Sequence, residues 1–258
     1  MNSEFGFSIP AYGESPYLAQ CIESLRAQTI KCELVITTST PNSHINSIAA
    51  QYGIRLIINS NRESIASDWN FALATCQGKF VCLAHQDDLY HPEFAERMTA
   101  FFSENSESCL AFSDSMEIFE AKSAKNNKRE LVKRLIRRLA FMGAMSIEGQ
   151  FRKKILLGLG CPIPCPSVVF NKSIIENFEF SNRYTINLDW DAWARFAREG
   201  GRIGYVRGEL IKHRIHCNSE TQNGLQDERR HREDYIMFQR YWPLPVARLL
   251  LFFYRASY

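Results

Sequence analysis

Short apolar runs alternate with helix-like segments through the first hundred residues of the chain, and this alternation limits the folds open to it. The runs have the length and composition of buried strands: FGFSI at 5–9, CELVIT at 32–37, IRLIIN at 54–59 and KFVCLA at 79–84. The segments between them repeat apolar residues at the spacing of an amphipathic helix. We therefore predict an α/β fold with a mostly parallel sheet flanked by helices.

The remainder of the chain divides by composition into a second α/β part and a tail. Further strands are predicted at 109–114, 167–170 and 203–206. A helix is predicted over 189–199, a basic helix-like region covers 122–157, and the tail is aromatic and apolar with scattered arginines. The segments predicted on this basis are 1–114, 115–220 and 221–258. The last of them would be a helical, amphipathic extension.

Composition and charge exclude several classes of protein. With 45% hydrophobic and 23% charged residues, the chain is globular rather than disordered. Its net charge of +3 does not predict a nucleic-acid partner. It shows no signal peptide and no run of about 18 apolar residues. The eight scattered cysteines indicate reduced thiols in a cytoplasmic protein. The alternative is a zinc site formed by Cys161, Cys165, His213, His216 and Cys217, but the spacings between these residues fit common zinc modules poorly.

Two adjacent carboxylates, Asp87 and Asp88, follow the fourth predicted strand in the segment VCLAHQDDLYHPEF. In parallel α/β sheets, ligands bind outside the carboxyl ends of the strands. Adjacent carboxylates repel each other unless a cation or several hydrogen-bond donors offset their charge. Oxygen ligands suit Mg²⁺ or Mn²⁺, which often share a site with phosphates. Alternatively, Asp88 lies there only to begin the following helix.

Five segments, taken in order, resemble glycosyltransferase family 2, whose members have the Rossmann-like GT-A fold. The segments are SIPAYGESPYLAQCIESLRAQT at 8–29, ELVITTST at 33–40, ASDWNFALATCQGKFVCLAHQDD at 66–88, PSVVFNKSII at 166–175 and DWDAWARFAREGGRIGYV with HRIHCNS within 189–219. The resemblance implies an inverting, metal-dependent hexosyltransferase of the bacterial surface-polysaccharide type. It assigns donor binding to 1–114, and acceptor binding and catalysis to 115–220.

The resemblance also implies which residues hold the nucleotide-sugar donor. They are Pro10, Ala11, Tyr12, Glu14, Thr38, Asp68, Asn70, Gln86 and Arg214. Thr38 stands where the family usually carries an aspartate that binds uracil. A uridine diphosphate sugar is the first expectation, and thymidine and guanosine donors stay open. An ordinary turn, with Ser15 capping a helix that starts at Pro16, would also explain the first loop.

The HQDD sequence at 85–88 takes the place of the family's D-x-D motif, with His85 for its first acid. The resemblance makes Asp87 a ligand of Mn²⁺ or Mg²⁺. Asp88 would either bind the ion directly or support the residues that do. It gives His216 a metal or phosphate contact, although an ordinary loop histidine stays open. Arg214 would neutralise phosphate charge.

The resemblance makes Asp189 the catalytic base, at the start of a late helix. Leu188 replaces the acid that often precedes it in the family. The base would deprotonate the acceptor hydroxyl, which attacks the sugar in line and inverts the anomeric carbon. A helix N-cap is the alternative role of Asp189. Asp191 is expected in solvent, paired with Arg195 at i,i+4.

Basic and apolar residues are interleaved in two segments, a pattern typical of helices that lie on anionic membranes. In the first segment, Leu131, Leu135, Ile136 and Leu139 alternate with Lys133, Arg134, Arg137 and Arg138. The second is the tail at 241–258. Helices that merely cover the core are the alternative. Together with the family, the pattern predicts contact with a membrane surface and a glycan or lipid-linked acceptor.

Two other functions stay open at this point. A sugar nucleotidyltransferase would carry a glycine-rich loop with basic residues after the first strand, and PAYGESP has one glycine and no basic residue. An inactive module that binds nucleotide or glycan is the second. It is kept open by the departures from the family at Thr38, His85 and Leu188.

Overall fold

The structure, a computed structural model, describes residues 3–61, 63–119, 127–216 and 228–255, without the side chains of 127–129. The chain divides into two compact units, each built from three segments. The first consists of 1–118, 163–182 and 204–214, and the second of 119–162, 183–203 and 215–258. Because these units are defined by packing and not by role, the predicted donor, acceptor and tail segments stay a prediction.

Nine strands and nine α-helices lie in the described residues. The strands are β1 Phe5–Pro10, β2 Cys32–Thr38, β3 Arg55–Ile58, β4 Phe80–Leu83, β5 Leu89–Tyr90, β6 Ser108–Phe119, β7 Ser146–Ile147, β8 Val169–Asn171 and β9 Arg202–Ile215. The helices are α1 Leu18–Arg26, α2 Ser43–Tyr52, α3 Ile65–Thr75, α4 Phe94–Glu104, α5 Asn127–Phe141, α6 Gln150–Gly158, α7 Leu188–Arg198, α8 Arg229–Gln239 and α9 Leu244–Arg255.

The sheet of the first unit has the strand order β3-β2-β1-β4-β8-β6-β9-β5. The pairs β1–β2, β1–β4 and β2–β3 are parallel. The pairs β4–β8, β6–β8 and β5–β9 are antiparallel. The predicted α/β fold is therefore confirmed, and the sheet is mixed: one half is parallel, and antiparallel pairs extend it past β4.

Local sequence explains where the helices of the parallel half begin. Asn42 accepts a hydrogen bond from the Ile45 N–H at 2.9 Å and caps α2. Ser64 caps α3 in the same way. The predicted cap at Ser15 is wrong, since α1 begins at Leu18 and has no side-chain cap. Each cap fixes the point at which a loop from the sheet turns into a helix.

Aromatic residues form the core between β1 and α4. The Phe7 ring lies 5.5 Å from the Tyr90 ring and 5.9 Å from the Phe94 ring, measured between centroids. Phe80 and Phe102 stack at 4.6 Å. These large buried rings stabilise the sheet mainly through removal of apolar surface from water. Through these contacts α4 packs against β1 and β4, two neighbouring strands of the parallel half.

Several sequence predictions need correction beyond the parallel half. The strand predicted at 109–114 extends to Phe119, and the one at 203–206 belongs to the 14-residue β9. The basic region at 122–157 contains two helices, α5 and α6, separated by β7. Its first residues, 122–126, lie outside the described residues. The short strand β5 was not predicted.

The second unit is mostly helical, and its bounds differ from those of the predicted 115–220 and 221–258 segments. Its buried centre is Trp190, whose ring packs against Phe238 at 5.4 Å and Tyr254 at 6.0 Å. The indole N–H of Trp190 donates to the Leu157 carbonyl at 3.0 Å. In this way α6, α7, α8 and α9 share one core. Among the described residues, no helix has both the length and the apolar character needed to cross a membrane.

Candidate functional site

The loops after β1, β2, β3 and β4 begin at the same edge of the sheet, because these strands are parallel. Backbone hydrogen bonds continue just past the strand ends. The Ala11 N–H donates to the Thr37 carbonyl at 2.8 Å, and the Asn59 N–H donates to the Thr38 carbonyl at 2.8 Å. This edge is where a parallel sheet binds ligands.

The loop after β1 is tied to the loop after β4 by Tyr12 and Gln86. The Tyr12 N–H donates to Gln86 Oε1 at 3.1 Å, and Gln86 Nε2 donates to the Tyr12 carbonyl at 3.0 Å. The Tyr12 side chain is 65% exposed. Pro10 is half-buried, Ala11 is buried and Glu14 is exposed. The paired loops therefore present an aromatic ring to solvent, and such a ring can stack on a flat ligand.

Thr38 lies at the end of β2, where its side chain is buried. Its hydroxyl accepts a hydrogen bond from the Thr40 N–H at 3.0 Å. The Thr40 hydroxyl in turn accepts one from the Gly13 N–H at 3.0 Å. Gly13 has a φ of 60°, a left-handed conformation that favours glycine. Thr38 therefore helps to shape the first loop, and its contact with a nucleotide base stays a prediction.

Asp68 joins the ends of β2 and β3. Its carboxylate accepts from the Ser39 hydroxyl at 2.8 Å and from Asn59 Nδ2 at 2.9 Å. Asn70, two residues further along α3, pairs with the backbone of Phe180: its amide donates at 3.0 Å and its carbonyl accepts at 2.6 Å. Asp68 therefore fixes the ends of β2 and β3, and Asn70 anchors the loop at Phe180 to α3; whether either side chain contacts a nucleotide stays a prediction.

His85, Asp87 and Asp88 form a cluster after β4. One ligand atom from each lies within 4.8 Å of the others, and no other such group is found in the described residues. His85 Nε2 is buried, and no described residue forms a hydrogen bond with it. A buried nitrogen without a partner beside two carboxylates fits a cation. Carboxylates suit Mg²⁺ and Mn²⁺, and a nitrogen ligand is less favourable for Mg²⁺, which prefers oxygen.

Asp88 is fully buried, and residues of β9 hold its carboxylate. His213 Nδ1 lies 3.1 Å and 3.2 Å from the two oxygens, and the Arg214 N–H donates at 2.8 Å. Burial alone would raise the pKa of Asp88, but the charge and hydrogen bond of His213 and the Arg214 N–H lower the pKa below its usual range. Asp88 is therefore ionised at neutral pH.

Arg214 places a cation next to the acidic cluster, which is the group formed by His85, Asp87 and Asp88. Its Nε donates to the Asp87 carbonyl at 3.0 Å, and another guanidinium nitrogen donates to Gln20 Oε1 at 3.0 Å. The guanidinium also lies 4.4 Å from the centre of the Tyr17 ring. These contacts fix the orientation of a planar cation that suits phosphate oxygens.

Comparison with known proteins shows which family this chain belongs to. Residues 7–173 match the family described as Glycosyl transferase family 2. The chain belongs to glycosyltransferase family 2. The matched range contains all three residues of the acidic cluster and the loop that carries Tyr12.

Solved structures of glycosyltransferases share the GT-A fold of this family 2 protein. TarS (1–349) from S. aureus superposes with a TM-score of 0.66 at 13% identity, over 96% of this chain and 69% of that one. The mannosyltransferase PcManGT from Pyrobaculum calidifontis, in complex with GDP-Man and Mn²⁺, gives 0.65 at 13%, over 97% and 68%. Glucosyl-3-phosphoglycerate synthase from Mycobacterium tuberculosis, with Mn²⁺ and UDP-glucose, gives 0.58 at 14%, over 93% and 79%. No curated protein sequence matches the chain.

Two predicted site residues of this glycosyltransferase belong to the second unit. Asp189 is half-buried in the first turn of α7, and its Oδ1 accepts from the Trp190 N–H at 2.7 Å. The N-cap position is Asn187, so capping is not the role of Asp189. His216 is half-buried and follows the last residue of β9. Catalysis by Asp189 and metal or phosphate contact by His216 stay predictions.

Asp191 is not in solvent, contrary to the prediction. Its side chain is buried and pairs with Arg195 at 3.1 Å, as predicted, and also with Arg240 at 2.5 Å. The second partner comes from the end of α8, a segment remote in sequence. The acid is therefore part of the core that supports Asp189.

His213 is a residue of the candidate site that the sequence did not reveal: it contacts the Asp88 carboxylate. Its spacing from His216 suggested zinc, and no candidate group with Cys161 or Cys165 occurs in the described residues. Cys217 lies outside the described residues. The only signal for His213 was its place in an alternating stretch, KHRIH, which also fits an ordinary strand. The partnership with Asp88 depends on how β9 returns to the loop after β4.

Proposed function

We propose that this family 2 protein transfers a sugar from a nucleoside-diphosphate sugar to a glycan or lipid-linked acceptor, with inversion at the anomeric carbon. The reaction would take place at the cytoplasmic face of a membrane, during assembly of a surface polysaccharide. The observation that carries the proposal is the cluster of His85, Asp87 and Asp88 at the carboxyl edge of the sheet, beside Arg214.

The acidic cluster would hold Mn²⁺ or Mg²⁺. Asp87 is the half-buried carboxylate of the pair, and Asp88 and His85 would complete or support the set, with His216 as a further candidate. A bound divalent ion would neutralise the negative charge of the departing diphosphate. In support, PcManGT and glucosyl-3-phosphoglycerate synthase were each solved with Mn²⁺ and a nucleotide-sugar.

The loops at the sheet edge would bind the nucleotide. Tyr12 would stack on the base, and Glu14 and Asp68 are the carboxylates available to ribose hydroxyls. Arg214 would pair with phosphate oxygens. A uridine nucleotide is the first expectation, and a structure of TarS with UDP-GlcNAc supports it. Thr38, in place of the usual aspartate, leaves guanosine and thymidine donors to be compared.

Asp189 would act as the general base. Its carboxylate removes the proton of the acceptor hydroxyl, and the acceptor oxygen attacks the anomeric carbon. The bond between that carbon and the diphosphate oxygen breaks, its electron pair stays on the diphosphate, and the nucleoside diphosphate departs from the opposite face. An α-linked donor would therefore give a β-linked product.

Turnover of nucleotide-sugars with Mn²⁺ tests the proposal. Purified protein is incubated with a panel of nucleotide-sugars and candidate acceptors, and release of nucleoside diphosphate is measured. Asp189→Asn should lower kcat by about 100-fold or more without weakening nucleotide binding. Glu199→Gln, at the exposed end of the same helix, is the matched control and should keep full activity.

Two outcomes would contradict the proposal. Binding of nucleotide without turnover of any donor would indicate an inactive module. Release of pyrophosphate from a nucleoside triphosphate and a sugar phosphate would indicate a nucleotidyltransferase.

A further inference from the structure

The last helix of the described chain, α9, is apolar on the side turned away from its core. Leu249, Phe252 and Phe253 are 56%, 68% and 62% exposed. The opposite side is anchored, since Ala247 is fully buried and the Tyr254 ring packs against Phe238 at 5.5 Å. With about 100° of rotation per residue, the exposed trio lies together on one face, opposite the anchored side.

Helix α5 also has an exposed apolar face opposite a buried one. Leu131, Leu135 and Leu139 are 64%, 55% and 48% exposed. They share one face, while Ile136 and Ala140 are buried on the other. On each of the two helices the exposed apolar residues form one stripe rather than scattered single positions.

Cations without acidic partners border both apolar faces. Arg138 of α5 and Arg248 of α9 are exposed, and neither forms an ion pair with any described residue. The one acid of α5, Glu130, already accepts hydrogen bonds from Arg134 at 3.4 Å and Arg137 at 2.6 Å. Helix α9 contains no acid at all. The charge beside each apolar face is therefore net positive.

We propose that the outer faces of α5 and α9 form a docking surface for an anionic lipid bilayer. The docking surface consists of Leu131, Leu135, Leu139, Leu249, Phe252 and Phe253, with Arg138 and Arg248. The apolar side chains enter the boundary between headgroups and acyl chains, and the arginines remain among anionic headgroups. With 15 and 12 residues, the helices are shorter than the about 20 needed to span a bilayer, so they lie in its plane.

Charge favours a bilayer over a second copy of the chain. If two copies met through either face, exposed arginines would be brought towards each other without acids to offset them. An anionic lipid surface supplies the opposite charge over a wide area. The inference rests on the proposed function in one respect: docking would bring the protein to its proposed lipid-linked acceptor. None of the docking residues belongs to the proposed donor site.

Vesicle flotation with the full chain tests the docking surface. One set of vesicles is phosphatidylcholine alone, and the other contains equal parts of phosphatidylcholine and phosphatidylglycerol. The protein should bind the anionic vesicles at least about tenfold more tightly. Salt near 1 M, where the Debye length is about 3 Å, should weaken that binding. Equal binding to both vesicles, or to neither, would overturn the inference.

Paired variants separate the apolar and the charged contributions. Phe252→Ser with Phe253→Ser should abolish flotation, and Arg138→Gln with Arg248→Gln should weaken it by about fivefold for each charge removed. The controls lie in the first unit: exposed Ile174→Ser for the apolar pair, and exposed Lys31→Gln with Arg207→Gln for the charged pair. Unchanged melting temperatures show that the variants fold, and wild-type flotation by either pair would contradict the surface.

Two further readouts distinguish membrane docking from self-association and from a loss of activity. If light scattering shows that the Phe252 and Phe253 variant loses self-association while vesicle binding is unchanged, the faces join copies and the inference is wrong. Turnover with a soluble acceptor is measured without vesicles and should survive in this variant. Failure of turnover in the wild type, with normal flotation, would instead count against the proposed function alone.

Discussion

His213 Nδ1 lies 3.1 Å from Oδ1 of the buried Asp88 carboxylate, and this contact joins β9 to the loop after β4. The backbone N–H of Arg214 adds a second donor to the same oxygen. Asp88 is therefore held from behind by protein donors, whereas the neighbouring Asp87 is only half-buried. The two adjacent acids are therefore in different environments: Asp88 fixes the loop, and Asp87 is the more accessible carboxylate and the better candidate for binding a metal ion.

Replacing His213 should destabilise the protein. His213→Ala removes a donor from a buried charged carboxylate, and the free energy of unfolding should fall by about 1–3 kcal/mol. Urea denaturation measures the change. Lys212→Ala, the exposed neighbour on β9, is the control and should change stability by less than about 0.5 kcal/mol. Equal stability of the two variants would mean that the contact with Asp88 is unimportant.

Asp68→Ala should loosen the edge of the sheet where the nucleotide is proposed to bind. The Ser39 hydroxyl and the Asn59 amide would both lose their acceptor, at a cost of about 1–3 kcal/mol in unfolding free energy. Nucleotide affinity, measured by calorimetry, should fall with it. Glu63→Ala removes an exposed acid just before α3 and should leave both quantities unchanged. Normal affinity in Asp68→Ala would remove Asp68 from the donor site.

Arg240 should be needed for the stability of the second unit. Arg240→Gln leaves the buried Asp191 with Arg195 as its remaining described partner, and the unfolding free energy should fall by about 1–3 kcal/mol. Thermal unfolding followed by circular dichroism measures the change. Arg232→Gln, an exposed position on the same helix, is the matched control. A melting temperature that is lowered equally by both variants would show that Asp191 does not depend on this pair.

Native protein should resist thiol reagents at its buried cysteines. Burial raises the pKa of the Cys76 thiol to about 12, and also raises the pKa of Cys21 and Cys82. At pH 8 these side chains are almost entirely unreactive thiols. Alkylation followed by peptide mass spectrometry should modify them only after unfolding. Rapid modification of Cys21 in folded protein would show that the core around α1 opens readily.

The parallel half of the sheet was predictable from sequence because its signals are local. Each strand from β1 to β4 is a short, mostly apolar run, and each predicted range differs from the observed one by at most one residue at either end. The place of Asp87 and Asp88 followed from the same reasoning, since a parallel sheet fixes which strand ends share an edge. What the sequence revealed was the edge of the sheet and the residues on it.

The rest of the site depends on contacts between distant segments. β9 is 14 residues long because its later part pairs with β5, where Tyr90 faces Ile211, and nothing near 203–206 indicates that pairing. His213 reaches Asp88 only through this return of the chain. Asp191 looked exposed because its i,i+4 partner was visible in the sequence and Arg240 was not. Non-local pairing decided all three cases.

Calorimetric titration of nucleoside diphosphates, with Mn²⁺ or with EDTA, tests the central claim most directly. Uridine, thymidine and guanosine diphosphates are compared for the wild type, for Asp87→Asn and for the exposed control Glu93→Gln. The wild type and Glu93→Gln should bind one of them at least about tenfold more tightly with Mn²⁺, and Asp87→Asn should lose that gain. Binding that is equally tight in EDTA, or a full Mn²⁺ effect in Asp87→Asn, would contradict a metal-assisted donor site at this cluster.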